Sequence, residues 1–188
     1  MAASYTANAV YVVNTEPNSK MRQPGLYVTT DDGKSWKRGA AAGVPGEITS
    51  IAAHPSAPGT VALGTVSGLQ VSRDQGATFK RIGPFSTVTA VTFDFDGKHL
   101  YYVTDKLDGL HRVSLDGTST AAVSLPRLER DFVLYIAPNP AASSQLAIAT
   151  GRRDVYLSHD SGRSWQQIAR EGEATPSVEA RPAKQRKQ

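Results

Sequence analysis

The sequence predicts an all-β fold, a small β-propeller of about four four-stranded antiparallel blades. Three observations predict it: an eight-residue phrase recurs with a period of 43 residues, each period holds short runs of β-branched and aromatic residues, and turn residues separate these runs. Four strands in such a period fit the roughly 40–45 residues of a propeller blade. The repeats are expected near residues 8–40, 47–83, 88–125 and 132–170.

The recurring phrase reads hydroxyl, any residue, Asp, any residue, Gly, any residue, hydroxyl, aromatic, and we call it the box. Its three full copies place these residues at the defining positions: Thr29, Asp31, Gly33 and Trp36; Ser72, Asp74, Gly76 and Phe79; Ser158, Asp160, Gly162 and Trp165. In a tight hairpin the Asp accepts backbone N–H groups, the Gly supplies a positive φ and the aromatic ring anchors the turn. We therefore expect these residues to be structural, not catalytic.

A shorter fourth copy spans residues 114–119, where the period requires one. It keeps the hydroxyl, the Asp and a Gly but lacks the aromatic residue. The phrase resembles the Asp-box, or BNR, repeat of sialidases, sortilin-type receptor domains, some glycoside hydrolases and photosystem II assembly factors. The resemblance implies a propeller that is exported or periplasmic. Because the family contains both enzymes and binding proteins, it does not specify a function.

The strands follow from the apolar runs between turn residues. The first repeat gives strands at 8–15, 26–29 and 34–38; the second at 48–53, 60–65, 68–72 and 77–82; the third at 88–93, 99–104 and 109–113; the fourth at 132–137, 145–150, 154–158 and 163–169. Residues 51–55 and 136–140 align around a shared Ile-Ala pair and a Pro, which supports the register outside the box. Small residues there suit an innermost strand, where blades crowd at the axis.

The first repeat shows only three strands, so its innermost strand must come from elsewhere. Residues 2–7 are one source, and residues 174–180 are another, closing the ring as a clasp; another molecule or further blades are the remaining sources. We favour a single closed unit over half of a larger propeller or a fragment. The expected division is a propeller over 1–172 and, over 173–188, a closing strand and a basic disordered tail.

Composition excludes several classes of protein. The chain of 188 residues has no cysteine, so it has neither disulfides nor a cysteine zinc site. The net charge of +4 lies in the basic tail, which makes nucleic acid an unlikely partner. No apolar run is long enough to span a bilayer, and residues 1–6 do not read as a signal peptide. The compartment and the oligomeric state stay open.

The loops at the propeller end opposite the boxes are the expected binding surface, because variable loops on a rigid scaffold carry binding. They hold a set of basic residues that we expect to contact a partner: Lys20, Arg22, Lys106, Arg127, Arg130, Arg152 and Arg153. Arginine-rich loops can bind carboxylates, phosphates or an acidic protein surface through bidentate hydrogen bonds. The alternative is an ordinary solvated surface of mixed charge.

Catalytic patterns are sparse. Sialidases typically show an Arg-Ile-Pro motif ahead of the first box, and this chain has none. Glycoside hydrolysis ordinarily needs two carboxylates flanking one bond, and Asp108 and Asp131 are the pair that could approach each other across the loops. The histidines are His54, His99, His111 and His159, which have no metal-ligand spacing, and Asp96-Gly97 fits a hairpin turn better than a calcium loop. We expect no metal and no cofactor.

These observations favour a non-catalytic binding or scaffold propeller that engages a protein or a macromolecular complex. By resemblance, it is an accessory or assembly subunit of a membrane complex or a sortilin-like peptide binder. The alternative is a BNR-type glycoside hydrolase or a carbohydrate-binding module. The chain is accordingly expected not to be an enzyme, with glycosidase activity as the second choice.

Overall fold

The computed structural model describes residues 1–4, 8–44 and 46–175, and within them it forms four antiparallel sheets without a helix. The predicted all-β fold is confirmed. No helix capable of crossing a membrane occurs in the described part of the chain. Each sheet is a blade whose strands lie in sequence order. The first strands of neighbouring blades contact one another, so the first strand of each blade is innermost.

The four blades contain seventeen strands in the described residues. Blade 1 contains β1 (Ala2–Ala3), β2 (Val10–Asn14), β3 (Gly25–Thr29) and β4 (Lys37–Arg38). Blade 2 contains β5 (Ile48–Ala53), β6 (Val61–Thr65), β7 (Gly68–Ser72) and β8 (Lys80–Ile82). Blade 3 contains β9 (Val88–Phe93), β10 (His99–Thr104), β11 (Leu110–Ser114) and β12 (Thr120–Val123). Blade 4 contains β13 (Val133–Pro138), β14 (Leu146–Thr150), β15 (Val155–Ser158), β16 (Gln166–Arg170) and β17 (Glu173–Ala174).

The innermost strand of blade 1 comes from the first residues of the chain. Ala2 pairs with Tyr11 and Ala3 with Val10, as expected for a strand supplied by residues 2–7. At the other end, β17 pairs with β16 of its own blade through Ala169 and Ala174, not with blade 1. The rest of the proposed clasp, together with the basic tail, lies outside the described residues.

Three apolar cores hold neighbouring blades together. Blades 1 and 2 share Tyr11, Leu26, Val28, Val61 and Leu63. Blades 2 and 3 share Ala62, Leu69, Val71, Leu100 and Tyr102. Blades 3 and 4 share Val103, Leu110, Val133, Leu146 and Ile148. Each core combines alternate residues of facing strands, so every blade buries both of its faces when it has two neighbours.

No such core joins blade 4 to blade 1 among the described residues. The inner strands of all four blades instead surround a concavity of about 460 Å³, where the Tyr135 side chain is 69% exposed. The favoured expectation of a ring closed by these four blades is therefore not met. The four blades form an arc, consistent with part of a propeller.

The antiparallel strand order gives every blade two different ends, defined by the turns that lie there. The box turns and the turns between the first two strands of blades 2 to 4 lie at one end, which we call the box end. The turns between the second and third strands lie at the other end, which we call the loop end. The connection from blade 3 to blade 4 lies at the loop end as well.

Candidate functional site

The three full boxes have the same hydrogen-bond geometry. In blade 4 the Ser158 hydroxyl donates to Asp160 Oδ1 at 2.9 Å and accepts the Gly162 N–H at 2.8 Å. The same aspartate accepts the Ser164 N–H at 2.8 Å and the Ser164 hydroxyl at 2.6 Å. The boxes of blades 1 and 2 repeat these bonds to within 0.2 Å.

These hydrogen bonds leave the box carboxylates little capacity for chemistry. The pKa of each box aspartate is lowered to about 2, mainly by hydrogen bonds from the residue at the second hydroxyl position. The pairs are Asp31 with Ser35, Asp74 with Thr78, and Asp160 with Ser164. The box aspartates therefore stay ionised and engaged by their own turns. Trp165 adds a contact between blades, because its Nε1 donates to the Ser124 carbonyl oxygen at 2.8 Å.

Blade 3 also has a charged network at the box end, formed by the turn between β9 and β10 and by Arg112 of β11. Asp94 Oδ2 lies 3.0 Å from His99 Nδ1 and 3.0 Å from Arg112 Nη2. Asp94, Asp96 and His99 have ligand atoms close enough to bind a metal ion. Because the Arg112 guanidinium already pairs with the central carboxylate, this network is better explained as a structural ion pair.

The loop end contains a polar cleft of about 260 Å³, which we call the loop-end cleft. Three segments of blade 4 and its entry form it: the connection 124–132, the turn 151–154, and the outer strand with its turn 167–172. The lining combines arginines, carboxylates, a tyrosine and an amide: Arg127, Leu128, Glu129, Asp131, Arg152, Asp154, Tyr156, Gln167, Arg170 and Glu171.

Two aspartates fix the geometry of this cleft. The buried Asp131 accepts the Phe132 N–H at 2.8 Å and the Arg152 N–H at 3.2 Å, which ties the connection to the turn. Asp154 accepts the Glu171 N–H at 2.8 Å, which ties the turn 151–154 to the turn between β16 and β17. Both carboxylates thus hold loop backbones in place from within the cleft wall.

The remaining polar groups give the cleft a mixed charge. Burial and the negative charges of Asp154 and Asp131 raise the pKa of Tyr156, so its hydroxyl stays protonated. Arg152 Nη2 lies 3.5 Å from Glu171 Oε1, and both side chains are more than half exposed. The cleft therefore offers hydrogen-bond donors and acceptors of both signs to a polar ligand.

The structure separates the predicted basic residues into several places. Arg127 and Arg152 line the cleft, while the exposed Arg130 and Arg153 lie in the same two loops with positive φ angles of 52° and 67°. Lys106 and Arg22 are exposed in the loops of blades 3 and 1. Lys20 reaches the box end, where its Nζ donates to the Gly33 carbonyl oxygen at 3.1 Å.

The predicted carboxylate pair is also separated. Asp131 lines the loop-end cleft, whereas Asp108 lines an adjacent depression of about 450 Å³ whose wall shares Arg127 and Leu128 with the cleft. A hydrogen bond from His111 lowers the pKa of Asp108 and holds it in its own loop. Sequence reasoning placed Arg170 among the basic residues of these loops but missed Asp154, Tyr156, Gln167 and Glu171 as its neighbours in one cleft. The short turn 151–154 was the available signal, since it joins β14 to β15 at the loop end, where β16 also ends.

The comparisons with known proteins agree with the repeat and the fold. The BNR/Asp-box repeat model matches residues 27–38, which confirms the predicted resemblance. A xyloglucanase of Hypocrea jecorina is 36% identical over 90 residues, which cover 46% of this chain and 11% of that protein. The chain thus spans about a tenth of the length of this curated relative.

Solved structures show the same fold at low sequence identity. An ancestral GH74 enzyme superposes with a TM-score of 0.62 and 20% identity over 88% of this chain and 23% of its own. The GH74 xyloglucanase from Xanthomonas campestris superposes with a TM-score of 0.62 and 18% identity over 89% of this chain and 30% of its own. These similarities establish a propeller fold.

The expectation that the chain is not an enzyme is wrong. The relative that matches 90 residues of this chain is itself an enzyme, a xyloglucanase. The expectation depended on the absence of sialidase motifs and on a search for carboxylate pairs that found Asp108 and Asp131 alone. A hydrolase that takes its carboxylates from propeller loops needs neither an Arg-Ile-Pro motif nor an arginine triad.

Proposed function

We propose that this chain is part of a glycoside hydrolase-like propeller and that its loop-end cleft binds a segment of xyloglucan or a related neutral polysaccharide. The similarity to the xyloglucanase carries the proposal, because 36% identity over 90 residues is high enough to indicate more than a shared fold. The partial length of that match makes binding, rather than complete turnover by these residues alone, the expected property.

The chemistry of the cleft supports a saccharide ligand. Sugar hydroxyls both donate and accept hydrogen bonds, and the cleft presents arginine donors beside carboxylate acceptors and the Gln167 amide. Its loops are tied together by Asp131 and Asp154, so the site is largely formed before a ligand arrives. Arg153 and Glu171 have positive φ angles at its rim, a backbone feature that is often retained at binding sites.

Hydrolysis in the longer protein would require two carboxylates on either side of one glycosidic bond. Asp154 and Glu171 are the pair we propose for this role or for contact with the sugar. They lie in one cleft, and the Glu171 N–H binds the Asp154 carboxylate. Asp108 lies in the adjacent depression and is not part of this proposal.

Affinity electrophoresis in gels containing xyloglucan tests the proposal. We expect the wild-type chain to be retarded and Asp154→Asn and Glu171→Gln to be retarded less. The matched control is Asp96→Asn, an exposed aspartate at the box end that pairs with Lys98. Equal migration of the wild-type chain with and without the polysaccharide would remove the proposal.

A protein-binding role is the second candidate. Exposed apolar side chains at the loop end favour it, since Phe85 is 71% exposed, Phe132 is 47% exposed and Val66 is 41% exposed. Such residues, with the arginines around them, suit a peptide or a protein complex, including a membrane-associated one. Replacing Phe85 and Phe132 with Ser should then weaken capture of that partner while leaving xyloglucan retardation unchanged.

A further inference from the structure

The box of blade 3 lacks the aromatic residue that closes the box of each other blade. Thr120 and Gln166 each pair with the residue that precedes the first box hydroxyl, so the register makes these two residues equivalent. The residue before Gln166 is Trp165, and the residue before Thr120 is the exposed Ser119. Blade 3 therefore has a short hydroxyl side chain where blade 4 has an indole ring.

The aromatic residue of a box packs against the preceding blade. In blade 4, Trp165 belongs to the apolar core between blades 3 and 4, and its Nε1 donates to the Ser124 carbonyl oxygen of the blade 3 exit. In blade 2, Phe79 packs against the core between blades 1 and 2. The box glycines beside these rings, Gly76 and Gly162, are buried. The ring thus closes the junction between two blades at the box.

The junction between blades 2 and 3 contains a depression of about 470 Å³, which lies between the boxes of the two blades and which we call the box groove. Its volume falls in the range of roughly 300–1,000 Å³ that is usual for ligand sites. Gly117, the box glycine of blade 3, is exposed. A Cβ built at Gly162 would lie 3.4 Å from the Trp165 ring, whereas one built at Gly117 would meet Ile82 of blade 2 at 3.2 Å. The groove thus lies at the junction where the box ring is missing.

The box groove has apolar walls and a basic rim. The Arg73 guanidinium donates to the Leu115 carbonyl oxygen at 3.3 Å, which holds this cation across the groove. Neither Arg73 nor Lys80 forms an ion pair with a residue that the structure describes. The apolar walls and the two exposed cations are supplied by Val71, Phe79, Ile82, Leu115, Arg73 and Lys80.

The two aspartates at the groove are engaged by their own turns. Asp74 accepts the Thr78 N–H at 2.9 Å and the Thr78 hydroxyl at 2.6 Å. Asp116 accepts the Thr118 N–H at 3.0 Å and the Thr118 hydroxyl at 2.8 Å. Because these carboxylates bind their own turns, the cations at the rim keep their hydrogen-bond donors for an external anion.

We propose that the box groove binds an aromatic side chain of an acidic protein segment, which takes the place of the ring that blade 3 lacks. The ring packs on the apolar walls, and the carboxylates beside it in the segment pair with Arg73 and Lys80. The chain's own basic residues at 181–187 are poor occupants, because they carry the same sign of charge as the rim. This protein site is separate from the loop-end cleft and does not depend on polysaccharide binding there.

Fluorescence anisotropy with two labelled peptides tests the proposal on the whole chain. One peptide has the sequence Gly-Asp-Glu-Trp-Glu-Asp-Gly, and the other has Ala in place of Trp. We expect saturable binding of the Trp peptide with a Kd below about 1 mM, and binding of the Ala peptide that is at least about tenfold weaker. The two peptides have the same charge, so the difference isolates the ring.

Three variants place the peptide in the groove. Ser119→Trp supplies the missing ring from the chain itself and should weaken binding of the Trp peptide at least about tenfold. Lys80→Glu should weaken it about fivefold and change the Tm by less than about 2 °C, since Lys80 is exposed. The matched control is Lys37→Glu, at the equivalent exposed position of blade 1, where Phe79 already packs at the junction with blade 2. It should bind as the wild type does.

Several results would overturn the proposal: no binding of the Trp peptide, equal binding of the two peptides, or equal effects of Lys80→Glu and Lys37→Glu. Displacement of the Trp peptide by a xyloglucan oligosaccharide would assign the groove to a saccharide. A wild-type dimer by light scattering that Ser119→Trp converts to monomer would assign it to a second copy of the chain. Retardation in xyloglucan gels should be the same for Ser119→Trp, Lys80→Glu and the wild type, so a failure at either site is distinguishable from a failure at the other.

Discussion

The two ends of the blades use the same residue types for different purposes. At the box end, Asp31, Asp74 and Asp160 each close the turn that contains them. At the loop end, Asp131 and Asp154 bind the backbones of neighbouring loops and line a cleft. A carboxylate whose hydrogen-bond donors lie within four residues in the sequence stabilises a turn. A carboxylate that accepts hydrogen bonds from separate segments can instead hold together a site that faces a ligand.

The largest expected effect concerns the box glycines and tests whether the box turns stabilise the packing between blades. A Cβ at Gly162 would lie 2.1 Å from Val123 Cγ1, and its φ is 83°. Gly162→Ala should therefore lower the free energy of unfolding by about 2–4 kcal/mol, from strain and overpacking against blade 3. Urea unfolding measures this change.

Gly33→Ala is the matched control for that prediction. Its φ of 77° is similar, but the nearest atom to the added Cβ is Trp36 Cζ2 at 3.7 Å. It should cost only about 1 kcal/mol, the conformational part alone. Equal losses for the two variants would show that the box turn does not pack between blades.

The second prediction concerns ligand binding at the loop end. Replacing both Arg152 and Arg153 with Ala should weaken xyloglucan binding about tenfold, because charge-assisted hydrogen bonds to the ligand are lost. The Tm should change by less than about 2 °C, since both side chains are exposed. Full binding by the double variant would remove these arginines from the site.

The third prediction concerns the loss of stability at low pH, which should come from the box aspartates. The three full-box aspartates have folded-state pKa values of about 2 against an ordinary 3.8. A depressed pKa contributes stability that is present above 3.8 and lost as the pH falls toward 2. Thermal melts across this range should fall steeply for the wild type and less for Asp160→Asn. Parallel curves would show that the box hydrogen bonds are already lost before protonation.

The smallest expected effect concerns a buried histidine at the box end. Burial lowers the pKa of His54 below 6.5, and His54 Nδ1 accepts the N–H groups of Ser56 and Ala57. Since the unfolded chain binds the proton more readily, stability should decline as the pH falls below 6.5 toward the folded-state pKa.

Asparagine is the natural replacement for this histidine. Asn139 occupies the equivalent turn of blade 4, where its Oδ1 accepts the Ala141 N–H at 2.8 Å. His54→Asn should flatten the pH dependence of the Tm below 6.5 without unfolding the protein, while His159→Asn, at an exposed site, should not. An unchanged slope in His54→Asn would assign the decline to other groups.

The sequence predicted the strands and the blades because their signals are local, but it did not predict that the four blades leave the ring open. The box at 29–36 and its copies marked the repeats, and the apolar runs between turn residues marked the strands. The site was harder, because Asp154 and Glu171 are separated by a whole hairpin and meet only through a backbone hydrogen bond. Lys20 was misplaced for a related reason: nothing in its neighbours shows that the loop 15–24 folds back toward the box.

The central claim is that the loop-end cleft, not the box end, binds a neutral polysaccharide. An NMR titration of the ¹⁵N-labelled chain with a xyloglucan oligosaccharide tests it most directly. Amide shifts should concentrate at residues 127–131, 151–156 and 167–171 and spare the turns at 29–36, 72–79 and 158–165. Shifts confined to those turns, or no shifts at saturating oligosaccharide, would contradict the account.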